Sequence, residues 1–242
     1  MNYTTPEKYS DGFGAQYQRI IMWFLSSKIS NLIFHYRPFD KMEHNYNNDP
    51  NFIVKKETLI NLKNNIPNVD IGKYLYSNAP QKYHFEFFDK NMEELCKSEH
   101  MAFIKQCFWS NKDRDFFKNE KINVAVHIRR PNNHDNRLSG ADTPDNYYLN
   151  VINKIRRNYP DKSLLFHIYS QGHPNSFKLY ENVDTCFHLN EDIENTFIGM
   201  VAAELLVTSG SSFSYAASLI SDGEIWYKPF WHPPLKKWII CE

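Results

Sequence analysis

Val124-Ala125-Val126-His127-Ile128, followed directly by Arg129 and Arg130, is the stretch that determines the fold class of this chain. Its apolar and β-branched residues predict a buried strand over residues 122–128. In open α/β sheets, ligands bind at the carboxyl ends of the strands. Two guanidinium groups at such an end suit a diphosphate, because each offers a planar fork of donors to phosphate oxygens. The alternatives are that the arginines pair with surface carboxylates and that His127 is a hydrogen-bonded core residue.

Strand and helix patterns alternate after this stretch. Strands are expected at residues 163–169, 185–189, 204–208 and 224–227, and helices at residues 192–203 and 212–220. Thr143 is expected to cap a further helix that has Pro144 at its first position and ends near Pro160. Short alternating elements of this kind predict a parallel, Rossmann-like sheet.

The N-terminal half is less regular. Gly12-Phe13-Gly14 precedes a helix expected over residues 15–27, and a strand is expected at residues 32–36. The spacing of apolar residues predicts one long helix over residues 91–109. A charged stretch at residues 111–120 separates the halves, so the predicted domains are residues 1–118 and 119–242.

Composition narrows the functional class. Lys and Arg together number 28, as do Asp and Glu, and a net charge of zero argues against extended nucleic-acid binding. The four cysteines have neither CxxC nor metal-ligand spacing and are expected to be reduced thiols. No signal peptide and no apolar run of about 18 residues is present, which predicts a cytoplasmic protein without an integral membrane segment.

Two further motifs are typical of anion sites. Gly12 and Gly14, with Gln16, would let backbone approach a ligand at a helix N-terminus, although a plain helix-entry turn has the same pattern. Ser209-Gly210-Ser211-Ser212-Phe213-Ser214 lies between a predicted strand and a predicted helix. Its hydroxyl and N–H groups would form an anion nest, and the alternative is an ordinary helix cap.

The order of these motifs resembles one enzyme family, the GDP-fucose-dependent fucosyltransferases of the α-1,2-, α-1,6- and protein O-fucosyltransferase group, with the α-1,2 branch nearest. Residues 124–130 are similar to the group's first motif. Residues 195–197, 204–214 and 216–217 are similar to its C-terminal signature. The resemblance covers residues 121–230 well and residues 10–40 loosely.

The resemblance implies a GT-B-like α/β fold, with two facing Rossmann-like domains that contain parallel sheets. Residues 1–118 would form the acceptor side and residues 119–242 would bind the nucleotide sugar. It also implies an inverting, metal-independent transfer of fucose from GDP-fucose to a glycan hydroxyl, with no cofactor. The donor-binding residues would be Gly12, Phe13, Gly14, Gln16, His127, Arg129, Arg130, Ser170, Gln171, Ser209, Ser211, Ser212, Phe213 and Ser214.

Two roles remain to be filled in the reaction. The arginines, Arg129 above all, would stabilise negative charge as the diphosphate leaves. A base would take the proton of the acceptor hydroxyl, and Asp135 is the candidate, with His134 and Asp142 as alternatives. The chain departs from the family where Pro131-Asn132 follows the arginines and where Ala15 precedes Gln16. Alternative functions are a transferase that uses another donor such as GDP-rhamnose, or a non-catalytic glycan- or nucleotide-binding relative.

Overall fold

A computed structural model describes residues 2–130, 143–182 and 184–242. The chain divides into two compact units, Met1–Asp113 and Arg114–Glu242. Each unit contains a parallel sheet with helices, so the predicted α/β class is confirmed.

The first unit is built on a small sheet. Three short parallel strands pair in the order β2-β1-β3, and Tyr3 of β1 lies opposite Ile33 on one side and Tyr76 on the other. The long helix α1 is buried along most of its length, with Tyr17, Ile21 and Trp23 fully inaccessible. The elements are β1 (Asn2–Thr4), α1 (Phe13–Ile29), β2 (Ile33–Phe34), α2 (Phe52–Ile60), β3 (Leu75–Tyr76), α3 (Gln81–Leu95) and α4 (Glu99–Trp109).

The long helix predicted over residues 91–109 is wrong, because this segment is split between α3 and α4. Ser98 is the N-cap of α4, and its side chain accepts a hydrogen bond from the backbone N–H of Met101. A serine that caps one helix ends the run of helical backbone before it. Both helices still bury apolar residues at helical spacing, and that spacing therefore did not reveal the break.

The second unit contains six parallel strands in the order β6-β5-β4-β7-β8-β9. β4 lies inside the sheet, and its seven residues pair with β5 from Ile122–Leu164 to Ile128–Ser170. The elements are β4 (Ile122–Ile128), α5 (Asp145–Asn158), β5 (Leu164–Ser170), β6 (Thr185–Leu189), α6 (Ile193–Ala202), β7 (Leu205–Val207), α7 (Ser212–Ile220), β8 (Glu224–Tyr227) and β9 (Ile239–Ile240).

Most elements of this unit agree with their predictions. The predicted bounds of β4, β6, α7 and β8 are confirmed. The predicted Thr143 cap is wrong, because Pro144 itself occupies the N-cap position of α5. The residue before a proline is held in extended backbone, which places Thr143 outside the helix. The two-residue strand β9 was not predicted.

The two faces of this sheet differ in character. Val124, Val126 and Ile128 point to an apolar core that contains Val151 and Ile155 of α5. Alternation along the strand places Asn123 and His127 on the opposite face, where both are buried. The polar side chains of β4 are therefore inside the protein and need internal partners.

One helix packs closely on this polar face. Gly199 of α6 lies so near Tyr169 of β5 that a Cβ atom at position 199 would be 2.0 Å from the tyrosine hydroxyl oxygen. Because any larger side chain would overlap the tyrosine, glycine sets how closely α6 approaches the sheet.

Candidate functional site

The carboxyl edge of the six-stranded sheet gathers most of the predicted site residues. Arg129 and Arg130 follow β4, and Ser170 ends β5. Residues 209–214, here called the serine loop, comprise the end of the connection from β7 and the first turn of α7. β5 and β7 are the two neighbours of β4, so these residues meet at one place. The described part of the second unit therefore brings together the predicted donor-binding residues of positions 127–214.

His127 connects β4 to the serine loop. Its Nδ1 atom lies 2.9 Å from the Ser209 hydroxyl oxygen, and both residues are buried. Burial, with a smaller contribution from the nearby Arg129 guanidinium, lowers the pKa of His127 to about 3. The His127 imidazole is therefore neutral, and it orients the serine loop without adding charge. The core alternative for His127 agrees with these contacts, and its role in donor binding stays a prediction.

The serines of the loop have unequal environments. Ser214 accepts a hydrogen bond from the Ser209 backbone N–H at 3.1 Å, and Ser211 caps α7 by accepting from the Phe213 backbone N–H at 3.2 Å. Ser209, Ser211 and Ser214 are buried, whereas Ser212 is half-buried at the first position of α7. The buried serines build the turn, and Ser212 with the helix N-terminus is the part that can face an anion.

The predicted site also contains an aromatic cluster around Phe213. The Phe213 ring packs edge-on against His127 at 5.6 Å and lies 5.5 Å from the Phe197 ring. This contact ties the first turn of α7 to β4 and α6. Phe213 thus fixes the direction in which the N-terminus of α7 points.

Arg129 and Arg130 lie side by side after the end of β4. Arg130 forms an ion pair with Asp145, donates to the Thr143 carbonyl oxygen at 3.3 Å and lies over the Phe177 ring. The Tyr180 hydroxyl donates a hydrogen bond to the same Asp145 carboxylate. Arg130 therefore pairs with a carboxylate, which was the alternative to phosphate binding considered for both arginines. Arg129 is half-buried, and its charge acts on His127 from the centre of the edge.

Ser170 and Gln171 lie at the end of β5. The Ser170 hydroxyl donates to the Ile128 carbonyl oxygen at 2.6 Å, which joins the ends of β5 and β4. Gly172 follows with a φ of 135°, and its backbone exchanges two hydrogen bonds with the Asn190 side chain at 2.9 Å each. Gln171, exposed between these anchored residues, is the side chain here that faces solvent.

The predicted residues Gly12, Phe13, Gly14 and Gln16 belong to the first unit. Phe13 is buried at the start of α1, and Gln16 donates to the carbonyl oxygens of Asp11 and Lys41 at 2.7 and 2.8 Å. A Cβ atom on Gly12 would lie 2.9 Å from the His44 ring, so this glycine permits a close approach within the unit. Their role in donor binding stays a prediction.

The first unit also has a small cleft of its own near these residues. Arg19 lies in it, held by Asp11 at 2.6 Å and by the Gln81 side-chain oxygen at 2.7 Å, with Tyr9 over its guanidinium at 4.1 Å. The donors of Arg19 are thus directed to protein groups.

The predictions of a catalytic base, of metal independence and of cytoplasmic location are not tested by the described residues. Asp135, His134 and Asp142 lie outside the described residues. Within the described ranges, no three His, Cys, Asp or Glu side chains are grouped so that they could hold a metal ion, and each helix is too short or too polar to span a bilayer. Metal independence and cytoplasmic location stay predictions.

Metal independence would fit a chain without an Asp-x-Asp pair, but the expectation that no such pair is present is wrong, because the sequence contains Asp113-Arg114-Asp115. Arg114 pairs with Asp222 at 3.8 Å, just before β8 begins. This contact places Arg114 at the amino ends of the strands, opposite the candidate site.

Sequence reasoning missed the end of β8. Lys228 follows that strand, and its backbone N–H donates to the Thr208 hydroxyl at 2.9 Å. Phe230 packs on the serine loop, since a Cβ atom at Gly210 would lie 3.5 Å from its ring. The feature of the sequence that could have indicated these residues is the adjacent pair Phe230-Trp231, which begins three residues after the last residue of a predicted strand.

No protein-family model and no curated protein sequence matches this chain. Among solved structures, fucosyltransferase NodZ from Bradyrhizobium is 10% identical over 91% of this chain and 94% of that one, with a TM-score of 0.48. E. coli heptosyltransferase WaaC with ADP-2-deoxy-2-fluoro heptose is 12% identical over 100% and 93%, with a TM-score of 0.49. POFUT1 in complex with GDP is 15% identical over 76% and 60%, with a TM-score of 0.35. These similarities concern the fold.

Proposed function

We propose that this protein is a glycosyltransferase of the GT-B class that transfers a sugar from a nucleoside diphosphate to a glycan hydroxyl. The observation that carries the proposal is that Arg129 follows β4, the strand whose His127 contacts Ser209 and Phe213 at the start of α7. A guanidinium fork and a set of helix N–H groups at one place are suited to the two phosphates of such a donor.

The surrounding contacts support a preformed anion site. The His127–Ser209 hydrogen bond holds the end of β4 against the serine loop, and Ser211 closes the first turn of α7. Asp145, the carboxylate that would compete with phosphate nearby, is occupied by Arg130 and Tyr180. Positive charge held rigidly where a leaving group gains negative charge lowers the barrier to its departure.

The proposed reaction is a single displacement with inversion. The acceptor oxygen forms a bond to the anomeric carbon of the sugar while the bond from that carbon to the diphosphate oxygen breaks. The nucleoside diphosphate leaves with the bonding electrons, and Arg129 stabilises its charge. The hydroxyl proton passes to a base, for which Asp135 is our candidate.

The donor proposed here is GDP-fucose, because the order of the three sequence motifs resembles the GDP-fucose-dependent family. Another GDP-deoxyhexose such as GDP-rhamnose is the alternative within this class. A non-catalytic protein that binds nucleotides or glycans is the alternative outside it, and the residues that replace the family pattern after Arg130 are the feature that favours it.

A thermal-shift series with GDP, GDP-fucose, UDP, ADP and CMP, all in EDTA, tests the proposal. A ligand at 100 times its dissociation constant stabilises the folded protein by about 2.7 kcal/mol. We expect GDP and GDP-fucose to raise the melting temperature selectively and GDP-fucose to release GDP when a glycan acceptor is added. Stabilisation by UDP alone would indicate that the donor is a UDP-sugar and not GDP-fucose. Stabilisation by GDP-fucose without any GDP release over a panel of acceptors would favour the non-catalytic alternative.

A further inference from the structure

Trp231 differs from every other tryptophan of this chain. It is 76% exposed, whereas Trp23, Trp109, Trp226 and Trp238 are all at most 8% exposed. Its ring stacks on Phe230 with a centroid distance of 4.9 Å and an angle of 9° between the ring planes. One face of this aromatic pair is therefore open to solvent.

The segment that carries the pair is firmly held. The Tyr227 hydroxyl donates to the His232 carbonyl oxygen at 2.7 Å, and His232 stacks on Tyr215 of α7 at 5.0 Å. Trp238 packs against Tyr227 at 5.2 Å on the same side. The backbone on both sides of Trp231 is thus fixed to the sheet and to α7, so its ring is presented at a defined place.

The pair also adjoins the proposed phosphate site. Phe230 is in contact distance of Gly210 in the serine loop. β4, β7 and β8 are successive neighbours, so the end of β8 is two strand spacings, about 10 Å, from the end of β4. Arg129, the N-terminus of α7 and the aromatic pair therefore lie in that order along the edge.

We propose that Phe230 and Trp231 form a stacking platform for the nucleobase of the donor. The inference rests on the proposed function, because a diphosphate bound between Arg129 and α7 brings its attached nucleoside towards one neighbouring strand end. Aromatic rings bind bases through their faces, and this contact does not depend on the hydrogen-bonding edge of the base. The platform would supply affinity for the base rather than selectivity for guanine.

The chemistry of the segment favours a base over a sugar of the acceptor. Residues 228–237 read Lys-Pro-Phe-Trp-His-Pro-Pro-Leu-Lys-Lys and contain no Asp, Glu, Asn or Gln. Carboxylate and amide side chains, which can accept from two neighbouring sugar hydroxyls at once, are therefore missing from this segment. A flat apolar surface on a segment without such side chains suits a ring that binds by stacking.

The experiment uses tryptophan fluorescence with two probes, GDP and inorganic pyrophosphate. We expect GDP to quench the emission of the wild-type protein, because Trp231 is its exposed tryptophan, and pyrophosphate to compete with GDP without quenching. Trp231→Ala should weaken GDP binding about 5- to 150-fold and leave pyrophosphate binding unchanged. Trp231→Phe should keep most of the affinity for GDP and lose the quenching.

Phe187→Ala is the matched control, since it removes a partly exposed aromatic ring from β6 at the other side of the sheet. Equal GDP affinity in the wild type and in Trp231→Ala, measured calorimetrically, would overturn the platform while leaving the proposed function in place. A parallel loss of GDP and pyrophosphate affinity in that variant would show a structural role and would also overturn it. A wild-type protein that binds neither probe would instead refute the proposed function.

Discussion

At the residue scale, Arg129 is expected to act on turnover. Arg129→Ala should reduce turnover about 100-fold or more, because a charge facing the leaving group acts on the transition state. Arg129→Lys should also be poor, since an ammonium cannot replace a planar fork of donors. Initial rates of GDP release, measured beside thermal denaturation, check both.

Arg130→Ala should instead lower stability, by about 1 kcal/mol, because it removes a partly exposed ion pair with Asp145. Asp145→Asn should reproduce this loss, and the double variant should cost less than the sum of the single ones. Full stability of Arg130→Ala, or a strictly additive double variant, would contradict the pairing role.

These two residues also show the limit of sequence reasoning. The motif predicted that positive charge lies at the end of β4, but it treated both arginines alike. The pairing of Arg130 arises because Asp145 and Thr143 lie beside the end of β4 although they are more than ten residues away in the chain. Such a contact depends on tertiary structure and leaves no local pattern in the sequence.

At the element scale, the approach of α6 to the sheet is expected to be intolerant of change. Gly199→Ala would place a methyl group 2.0 Å from the Tyr169 hydroxyl oxygen and should destabilise the protein by about 1–3 kcal/mol. Tyr169→Phe should rescue part of this loss, because it removes the overlapping hydroxyl oxygen. The rescue should be incomplete, because a ring carbon of residue 169 would still lie 2.6 Å from the added methyl group. Urea denaturation of the two single variants and the double variant measures the coupling, and no rescue would contradict the proposed overlap.

Elements were predictable where burial and periodicity agree. β4, β6 and β8 are strands with clear boundaries, and parallel strands between helices define the fold class. The first unit was less predictable, because its strands have only two or three residues and carry almost no periodic signal. The break between α3 and α4 was missed because apolar spacing continues across Ser98, whose capping hydrogen bond is the feature that ends the helix.

At the scale of the whole molecule, stability is expected to fall in mild acid. Burial lowers the pKa of His84 and His167 to about 4, helped for His167 by the charge of His188, and burial also lowers the pKa of His127 to about 3. An unfolded histidine titrates near pH 6.5, so the unfolded chain binds protons first as the pH falls. The stabilisation is present above pH 6.5 and is lost progressively towards pH 4 to 3.

Urea unfolding at pH 7.5, 6.0 and 5.0 measures this effect. Each unit of pKa lowering corresponds to about 1.4 kcal/mol. His84 belongs to the first unit and the other two histidines to the second, so both units should become easier to unfold. The free energy of unfolding of His167→Gln should depend less steeply on pH than that of the wild type. An equally steep dependence would contradict the conclusion that His167 is neutral in the folded protein.

The contacts of Arg130 have one further consequence, for how the framework of the second unit is fastened. One guanidinium at the end of β4 binds Thr143 and Asp145, where α5 begins. A planar fork of donors reaches a carbonyl oxygen and a carboxylate at the same time. Arg130 therefore acts as a staple that keeps the carboxyl end of the strand and the first turn of the helix together.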